Sequence, residues 1–451
     1  MGRLFGTDGA RGVANTELTC ELAMNIGRAA AMVLTDSGVH KHPKILIGKD
    51  TRLSSDMLEG ALIAGLCSVG AEVVLLGAVP TPAVAFLIKK YKADAGIMIS
   101  ASHNPFEFNG IKIFSSDGYK LPDALEAEIE SIVIDKSKPY YTPLGDGLGR
   151  VVRCETAVED YIQHIISTVP YRLDGMKIAI DCSNGSASAT AEQLFTRLGA
   201  ECHMLADKPD GKNINENCGS THLENLQKYV VDNGLQLGVA FDGDADRCLA
   251  VDEKGDVIDG DFIMAICALD LASRNKLNKK TAVGTVMSNM GFGRFCSDNG
   301  LKFVSTNVGD RYVLEAMLRE GYNFGGEQSG HVIFLDYSTT GDGQLTAAQL
   351  LSLVNRRQAK LSSIATLMTK YPQVLINVKV TNEGKLQFFT NQDIKDKIES
   401  VKKELGDDGR ILVRLSGTEP LVRVMIEGLD MELITRLANE TAELIKYRIG
   451  I

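Results

Sequence analysis

At 451 residues the chain is too long for one ordinary hydrophobic core, and its length predicts three or four domains. Apolar residues make up 44% and charged residues 24%, the balance of a soluble globular protein, while a formal charge of -10 and a pI near 5.4 argue against nucleic acid or an anionic membrane as the main partner. The most apolar stretch, 73–88, is broken by Pro80 and Pro82, far short of the roughly 18 unbroken apolar residues of a membrane span.

Alternating short β-branched runs and amphipathic stretches predict parallel sheets covered by helices. In the first unit, Ile45-Leu46-Ile47 is followed by a helix from about Asp56, the strand 73–76, a helix opened by Thr81 as cap with Pro82 as first residue, and the strand 95–99. That strand runs into the polar turn Ser100-Ala101-Ser102-His103-Asn104-Pro105, at the sheet's carboxyl edge, where open α/β sheets place ligands. Ser102 is therefore a candidate nucleophile, although Ser, Asn and Pro are also ordinary turn residues. No G-x-S-x-G elbow surrounds it, and adjacent side chains such as Ser102 and His103 usually diverge, so a serine hydrolase is not the expectation.

A second unit repeats the order: strand 177–181, helix 187–198, strand 201–205, and a helix from Thr221 with Glu224 completing a capping box. Its third strand, 237–241, leads into Asp242-Gly243-Asp244-Ala245-Asp246-Arg247. A third unit offers strand 282–286, a helix over 291–298, strand 303–305, a helix over 311–319, and then Gly325-Gly326-Glu327-Gln328-Ser329-Gly330-His331. Each unit thus delivers a polar loop after its third strand. Beyond Tyr371 the order changes to strand 374–380, helix 394–405, strands 411–413 and 421–426, and helix 431–447, a smaller α+β domain. The expected domains are 1–152, 153–254, 255–369 and 370–451.

Three carboxylates within five residues, Asp242, Asp244 and Asp246, suit a hard divalent cation, with a solvated acidic turn as the alternative. Glu253 falls at the twelfth position of a calcium loop, but Arg247 stands where that loop requires Gly and 249–251 reads as strand, so Mg²⁺ is the better reading. In the tail, Arg414, Ser416, Gly417, Thr418 and Arg423 combine guanidinium forks, hydroxyls and an approachable backbone, the chemistry of a phosphate clamp or of a plain hairpin turn. Glu327 and Ser329 suit sugar hydroxyls, and His331 can exchange a proton near neutrality. Lys112 and Arg11 read as surface charges unless folding brings them beside Ser102. Nine cysteines without a C-x-x-C pair, the closest two being 16 residues apart, offer neither a zinc site nor a secreted disulfide framework. Met1-Gly2 lacks the Ser or Thr that myristoylation requires at position 6, and a cytoplasmic location is expected.

Six segments, Thr7 to Gly12, Ser102 to Pro105, Asn109 to Lys112, Asp242 to Arg247, Gly326 to His331 and Arg414 to Pro420, together resemble the α-D-phosphohexomutase superfamily in order and over nearly the whole chain. The stretches 99–105, 213–222 and 326–331 are similar to its bacterial amino-sugar-phosphate branch. The resemblance implies three similar mixed α/β/α sandwich domains and a distinct C-terminal α+β domain around a central cleft. It implies exchange of glucosamine 6-phosphate and glucosamine 1-phosphate, feeding UDP-N-acetylglucosamine and cell-wall synthesis.

By the same resemblance, Ser102 carries a phosphoryl group, and Mg²⁺ bridges it to Asp242, Asp244 and Asp246. A sugar 1,6-bisphosphate serves as intermediate and activator. Arg11, His103, Lys112 and His331 assist proton transfer or stabilise charge, and Arg247, Glu327, Ser329, Arg414, Ser416, Gly417, Thr418 and Arg423 bind the phosphosugar. Relatives often form homodimers. Leu415 replaces a common Pro and Ala245 a common Gly, which bears on loop rigidity. The competing readings are a phosphomannomutase or phosphoglucomutase with the same loops, or a non-catalytic calcium or sugar-phosphate binder.

Overall fold

Aliphatic and β-branched runs too short for helices become buried strands here, and the amphipathic stretches between them become the helices that cover both faces. The structure is a computed structural model that describes residues 3–6, 8–34, 42–416 and 420–451. It divides into two compact units, residues 1–287 with 300–367, and residues 288–299 with 368–451.

The first unit holds three sheets. In the first, Ala10–Val13, Phe108–Ser115, Ala95–Ile99, Lys44–Lys49, Glu72–Ala78 and Val151–Arg153 lie side by side in that order. In the second the order is Val257–Ile258, Cys248–Asp252, Leu237–Phe241, Lys177–Asp181, Glu201–Leu205, and in the third Lys302–Thr306, Thr281–Thr285, Phe324–Gly326, Val332–Phe334. These sheets are mixed rather than parallel. In each, the third strand of the βαβαβ run is followed by an antiparallel return strand: Phe108–Ser115 beside Ala95–Ile99, Cys248–Asp252 beside Leu237–Phe241, and Val332–Phe334 beside Phe324–Gly326. The connecting loops are too short for a crossover helix, so the chain must turn back antiparallel. The three polar loops are therefore hairpin turns, each pinned at both ends by a strand.

The first sheet packs on helices Cys20–Leu34 and Leu53–Ser68 through Ile45, Ile47, Leu58, Leu62, Leu66 and Ile97, all fully buried. Each such side chain contributes about 1.5–3 kcal/mol of apolar burial. The two helices touch at Gly65, where an added Cβ would lie 2.2 Å from the Met24 carbonyl oxygen.

Three local readings give way to tertiary structure. The helix Thr81–Tyr91 is preceded by Pro80, and Thr81 does not cap it, because its hydroxyl is drawn to Asp244 instead. Thr221 ends a 3₁₀ turn, Gly219–Thr221, and the helix starts at Glu224 with no side-chain cap, so the capping box is absent. The helix expected over 187–198 is a 3₁₀ turn, Ser186–Ala189, followed by helix Ala191–Leu198.

The second unit is an antiparallel sheet, Gln373–Lys379, Leu421–Gly428 and Gly409–Leu415, packed on helices Gln392–Leu405 and Met431–Ile449. Helix Met290–Asp298, which the sequence places inside the third α/β run, belongs to this unit. Its Met290 N–H donates to buried Glu427 at 3.1 Å, and Asn289 donates to the Tyr371 carbonyl at 2.9 Å.

Candidate active site

Ser102 follows the fully buried strand Ala95–Ile99 and is itself only 1% exposed. Its φ of 52° lies in the left-handed region, which costs a non-glycine residue about 1–2 kcal/mol. The hydroxyl donates to Asp242 Oδ2 at 2.5 Å across 140 residues of sequence. The first loop thus faces the second.

The Asp242, Asp244 and Asp246 side chains are buried, and one oxygen of each falls within 4.8 Å of the others. Lys112 reaches them from the return strand of the first sheet, its ammonium 2.5 Å from Asp244 and 3.7 Å from Asp246 and almost wholly buried. It is not a surface charge. Thr81 Oγ1 donates to the same Asp244 oxygen at 2.6 Å, and the Thr81 N–H donates to the Asp244 carbonyl at 2.9 Å.

Burial pushes all three carboxyls up, but their neighbours divide them. On Asp242, burial and the Asp246 and Asp244 charges prevail and hold the carboxyl well above its usual range. On Asp244, burial and the Asp246 charge are outweighed by Lys112, and on Asp246 burial is outweighed by Lys112 and His331, so both are held down. Three buried carboxyls thus share too little positive charge, and one oxygen each of Asp244 and Asp246 accepts no hydrogen bond among the described residues. Orphaned, hard oxygen donors this close together fit a divalent cation. Glu253 is not among them, since it binds Ser362 Oγ at 2.5 Å.

Ala245 sits in the left-handed region that favours glycine: its φ is 56°, it is fully buried, and its N–H donates to the Asp242 carbonyl at 3.0 Å. Arg247 closes the loop, its N–H on Asp242 at 3.2 Å and its guanidinium 3.3 Å from His103 Nδ1. His103 Nδ1 lies 3.5 Å from Ser102 Oγ, and burial with the Arg247 and Arg11 charges pushes the imidazole down to about 4, leaving it neutral at pH 7. Arg11 is held by Asp8 at 3.6 Å.

The third loop adds His331, buried with Nδ1 3.6 Å from Asp246 and Nε2 3.6 Å from Asp310. Gly341 N–H donates to Nε2 at 3.0 Å, which places the neutral ring's proton on Nδ1, facing Asp246. Burial opposes the imidazolium, but Asp246 and Asp310 outweigh it and raise the ring's affinity for a second proton. Glu327 accepts from Gly309 N–H at 3.1 Å and is pushed up by burial, while Ser329 Oγ is buried without a hydrogen-bond partner among the described residues. Ser102, His103, Lys112, Arg11, the three aspartates, Arg247, Glu327, Ser329 and His331 all lie in the first unit.

Arg414, Ser416 and Arg423 lie in the second unit; Gly417 and Thr418 lie outside the described residues. Arg414 and Arg423 are directly opposed in the antiparallel ladder, and burial with the Arg423 charge lowers the Arg414 guanidinium's hold on its proton. Like charges paired across strands are unfavourable unless an anion joins them. Leu415 is paired with Val422 at the strand's end.

Comparison with known proteins agrees with this fold. The chain matches Phosphoglucomutase/phosphomannomutase alpha/beta/alpha domains I, II and III over residues 2–139, 159–255 and 259–371, and the C-terminal domain over 375–444. It belongs to the phosphoglucomutase/phosphomannomutase family of phosphohexomutases, isomerases that act as intramolecular phosphotransferases. Within that family it groups with the phosphoglucosamine mutases: the enzyme of that name from Clostridium acetobutylicum is 57% identical over 448 residues, spanning 99% of this chain and 100% of the relative. A phosphoglucomutase/phosphomannomutase family protein from Burkholderia thailandensis has the same fold, with a TM-score of 0.84, 25% identity, and coverage of 99% of this chain and 98% of that one. N-acetylphosphoglucosamine mutase from Aspergillus fumigatus, solved with GlcNAc-6P and magnesium, shares the fold at a TM-score of 0.69 and 17% identity over 98% and 95% of the two chains.

Four elements of the site were not legible in the sequence: the Thr81 bond to Asp244, the burial of Lys112, the Asp310 partner of His331, and the left-handed backbone at Ser102. The Thr81-Pro82 pair offered only a helix-start signal, and the other three carry no local pattern.

Proposed function

We propose that this chain interconverts glucosamine 6-phosphate and glucosamine 1-phosphate through a phosphoserine at Ser102 and a sugar 1,6-bisphosphate. The observation that carries the reading is the Ser102 hydroxyl, buried, in a left-handed turn, and 2.5 Å from one of three cation-ready carboxylates. Full-length similarity to phosphoglucosamine mutases supports the sugar.

Asp242, Asp244 and Asp246 would hold Mg²⁺, which supplies charge neutralisation for the phosphoryl group in transfer. The rest falls to the chain's own groups. The bond between phosphorus and Ser102 oxygen breaks as the free sugar hydroxyl bonds to phosphorus, and that hydroxyl's proton passes to a base of the site. His103, held neutral at pH 7 by burial and the Arg247 and Arg11 charges, is a weak acceptor for that proton and suits hydrogen bonding beside Ser102. Burial opposes the Lys112 ammonium, but Asp244 and Asp246 keep it charged, which suits stabilisation of the migrating phosphoryl group. Arg11 and Arg247 add fixed cations, and His331 exchanges a proton beside Asp246. The resulting bisphosphate turns over, and its other phosphate returns to Ser102. Glu327 and Ser329 would bond sugar hydroxyls, and Arg414, Arg423 and Ser416 of the second unit, with Thr418 and Gly417, carry the chemistry of a phosphate clamp. Nine free cysteines suit a reducing cytoplasm, where the product would feed UDP-N-acetylglucosamine.

A coupled assay comparing glucosamine, glucose and mannose phosphates, with a trace of sugar 1,6-bisphosphate present, tests the assignment. The glucosamine phosphates are expected to give the highest kcat/KM. A higher value with glucose or mannose phosphates makes the chain a phosphoglucomutase or phosphomannomutase, and turnover of none makes it a binding protein.

A further inference from the structure

Behind the Ser102 turn lies a polar cluster that the reaction as described does not use. The Arg52 side chain is fully buried and paired at 2.8 Å with the equally buried Asp50. One arm of its guanidinium donates to the carbonyls of Ser102 at 2.9 Å and Asn104 at 2.8 Å, and the other to Phe108 at 3.1 Å and to Pro105. Four carbonyls of one loop thus converge on a single cation. Asp50 in turn accepts from Ser100 Oγ at 2.6 Å, and Ser100 Oγ accepts the Ser102 N–H at 2.9 Å. The amide and the carbonyl of Ser102 both lead back to the same ion pair.

A second donor meets the same carbonyl from the neighbouring sheet. Asn215 Nδ2 donates to Ser102 O at 2.9 Å and to Asn104 O at 3.1 Å. Asn215 has a φ of 59°, and its own N–H is fixed on the Ser183 carbonyl at 2.9 Å. Gly243, between the first two aspartates, packs against this junction: an added Cβ there would lie 2.6 Å from Ser102 O and 2.9 Å from Asn215 Nδ2. The turn that bears the serine and the turn that bears the carboxylates are therefore joined through one carbonyl oxygen.

We propose that Arg52, braced by Asp50, and Asn215 are positioning residues for phosphoryl transfer, clamping the Ser102 carbonyl so that the serine stays in its left-handed conformation with Oγ aimed at Asp242. The proposal rests on the reading of Ser102 as the phosphoryl carrier. An unfavourable backbone conformation persists at a working residue only where its surroundings over-determine it, and a planar fork on four carbonyls does so in a way a lysine ammonium does not. Arg52 has no exposed surface, so it acts on the reaction through Ser102 and not through the sugar.

The test uses the full chain in Arg52→Lys, Asn215→Gly and the double variant; glycine tolerates the positive φ of position 215, so the second change removes the donor without adding strain. Phosphorylated enzyme is mixed with glucosamine 1-phosphate, and the single-turnover rate of loss of phosphoryl from Ser102 is measured beside the substrate Kd and the thermal midpoint. The expected result is a rate about a hundredfold lower for Arg52→Lys and about tenfold lower for Asn215→Gly, Kd within about threefold of the parent, and a double variant slower by less than the product, because both donors serve one carbonyl. Transfer within threefold of the parent rate in either folded variant overturns the proposal, as does a loss of rate matched by an equal loss of substrate affinity. If Arg52→Lys fails to fold, Asn215→Gly decides alone. A parent enzyme that carries and transfers no phosphoryl group on Ser102 refutes the underlying reading instead.

Discussion

Replacing Lys112 with methionine should separate charge balance from packing at the centre of the site. The Lys112 ammonium is 2% exposed, 2.5 Å from Asp244 and 3.7 Å from Asp246, whose side chains are 0% and 6% exposed. Methionine keeps much of the apolar stem but leaves the carboxylates without their nearest cation, and breaking such a buried pair costs about 3–5 kcal/mol. With a urea dependence of about 1–3 kcal/mol per molar, the unfolding midpoint in EDTA should fall by more than about 1 M. In millimolar Mg²⁺ the loss should shrink to a minor fraction, because a dication bound by the folded chain replaces the missing charge and stabilises by mass action. The measurement is a pair of urea titrations followed by circular dichroism, one in EDTA and one in Mg²⁺. An equal loss in both, or none in EDTA, would refute the reasoning that the three carboxylates are short of positive charge and open to a metal.

Two further outcomes are expected. Ala245→Gly relieves a non-glycine residue at φ 56° and should raise stability by up to about 1 kcal/mol, read as a higher thermal midpoint with kcat unchanged; a lower midpoint would show that the buried methyl outweighs the strain. Burial raises the Asp342 carboxyl from 3.8 to about 6, while it accepts from Leu345 N–H at 2.9 Å and Tyr161 OH at 2.8 Å. A raised folded value favours the protonated fold, so this contribution is full below 3.8 and is lost as pH climbs through about 6, costing on the order of 3 kcal/mol at neutrality. Asp342→Asn keeps both bonds and should flatten the decline of the unfolding midpoint across that window; an unchanged slope would contradict the assignment.

The strand before Ser102 and its counterpart Leu237–Phe241 were legible because apolar runs of five residues before polar turns leave little choice of element, whereas the third, Phe324–Gly326, has three residues, two of them glycine, and carried no strand signal. Their return strands were harder to read: Phe108–Ser115 mixes Asn, Gly, Lys and Ser with its apolar residues, and its pairing is settled by the hairpin, not by composition. The three aspartates could be read from spacing alone, since ligands within five residues share a loop in any fold. Lys112 could not, because its burial depends on a partner 132 residues away. Thr81 was misread as a cap because local signals compete with tertiary bonds, and here the bond to Asp244 won. Arg52 escaped notice and Asn215 entered only within the stretch 213–222 with no role, since both work by donating to main-chain carbonyls, which leave no side-chain pattern to match.

The central claim is that Ser102 is the phosphoryl carrier, and transfer of label tests it most directly. Enzyme incubated with sugar 1,6-bisphosphate labelled in its phosphates should take up label on the peptide that contains Ser102 and release it to added glucosamine 1-phosphate, while Ser102→Ala stays folded, binds sugar phosphate and takes up none. Label found on another residue, or turnover near the parent rate in Ser102→Ala, would contradict the account.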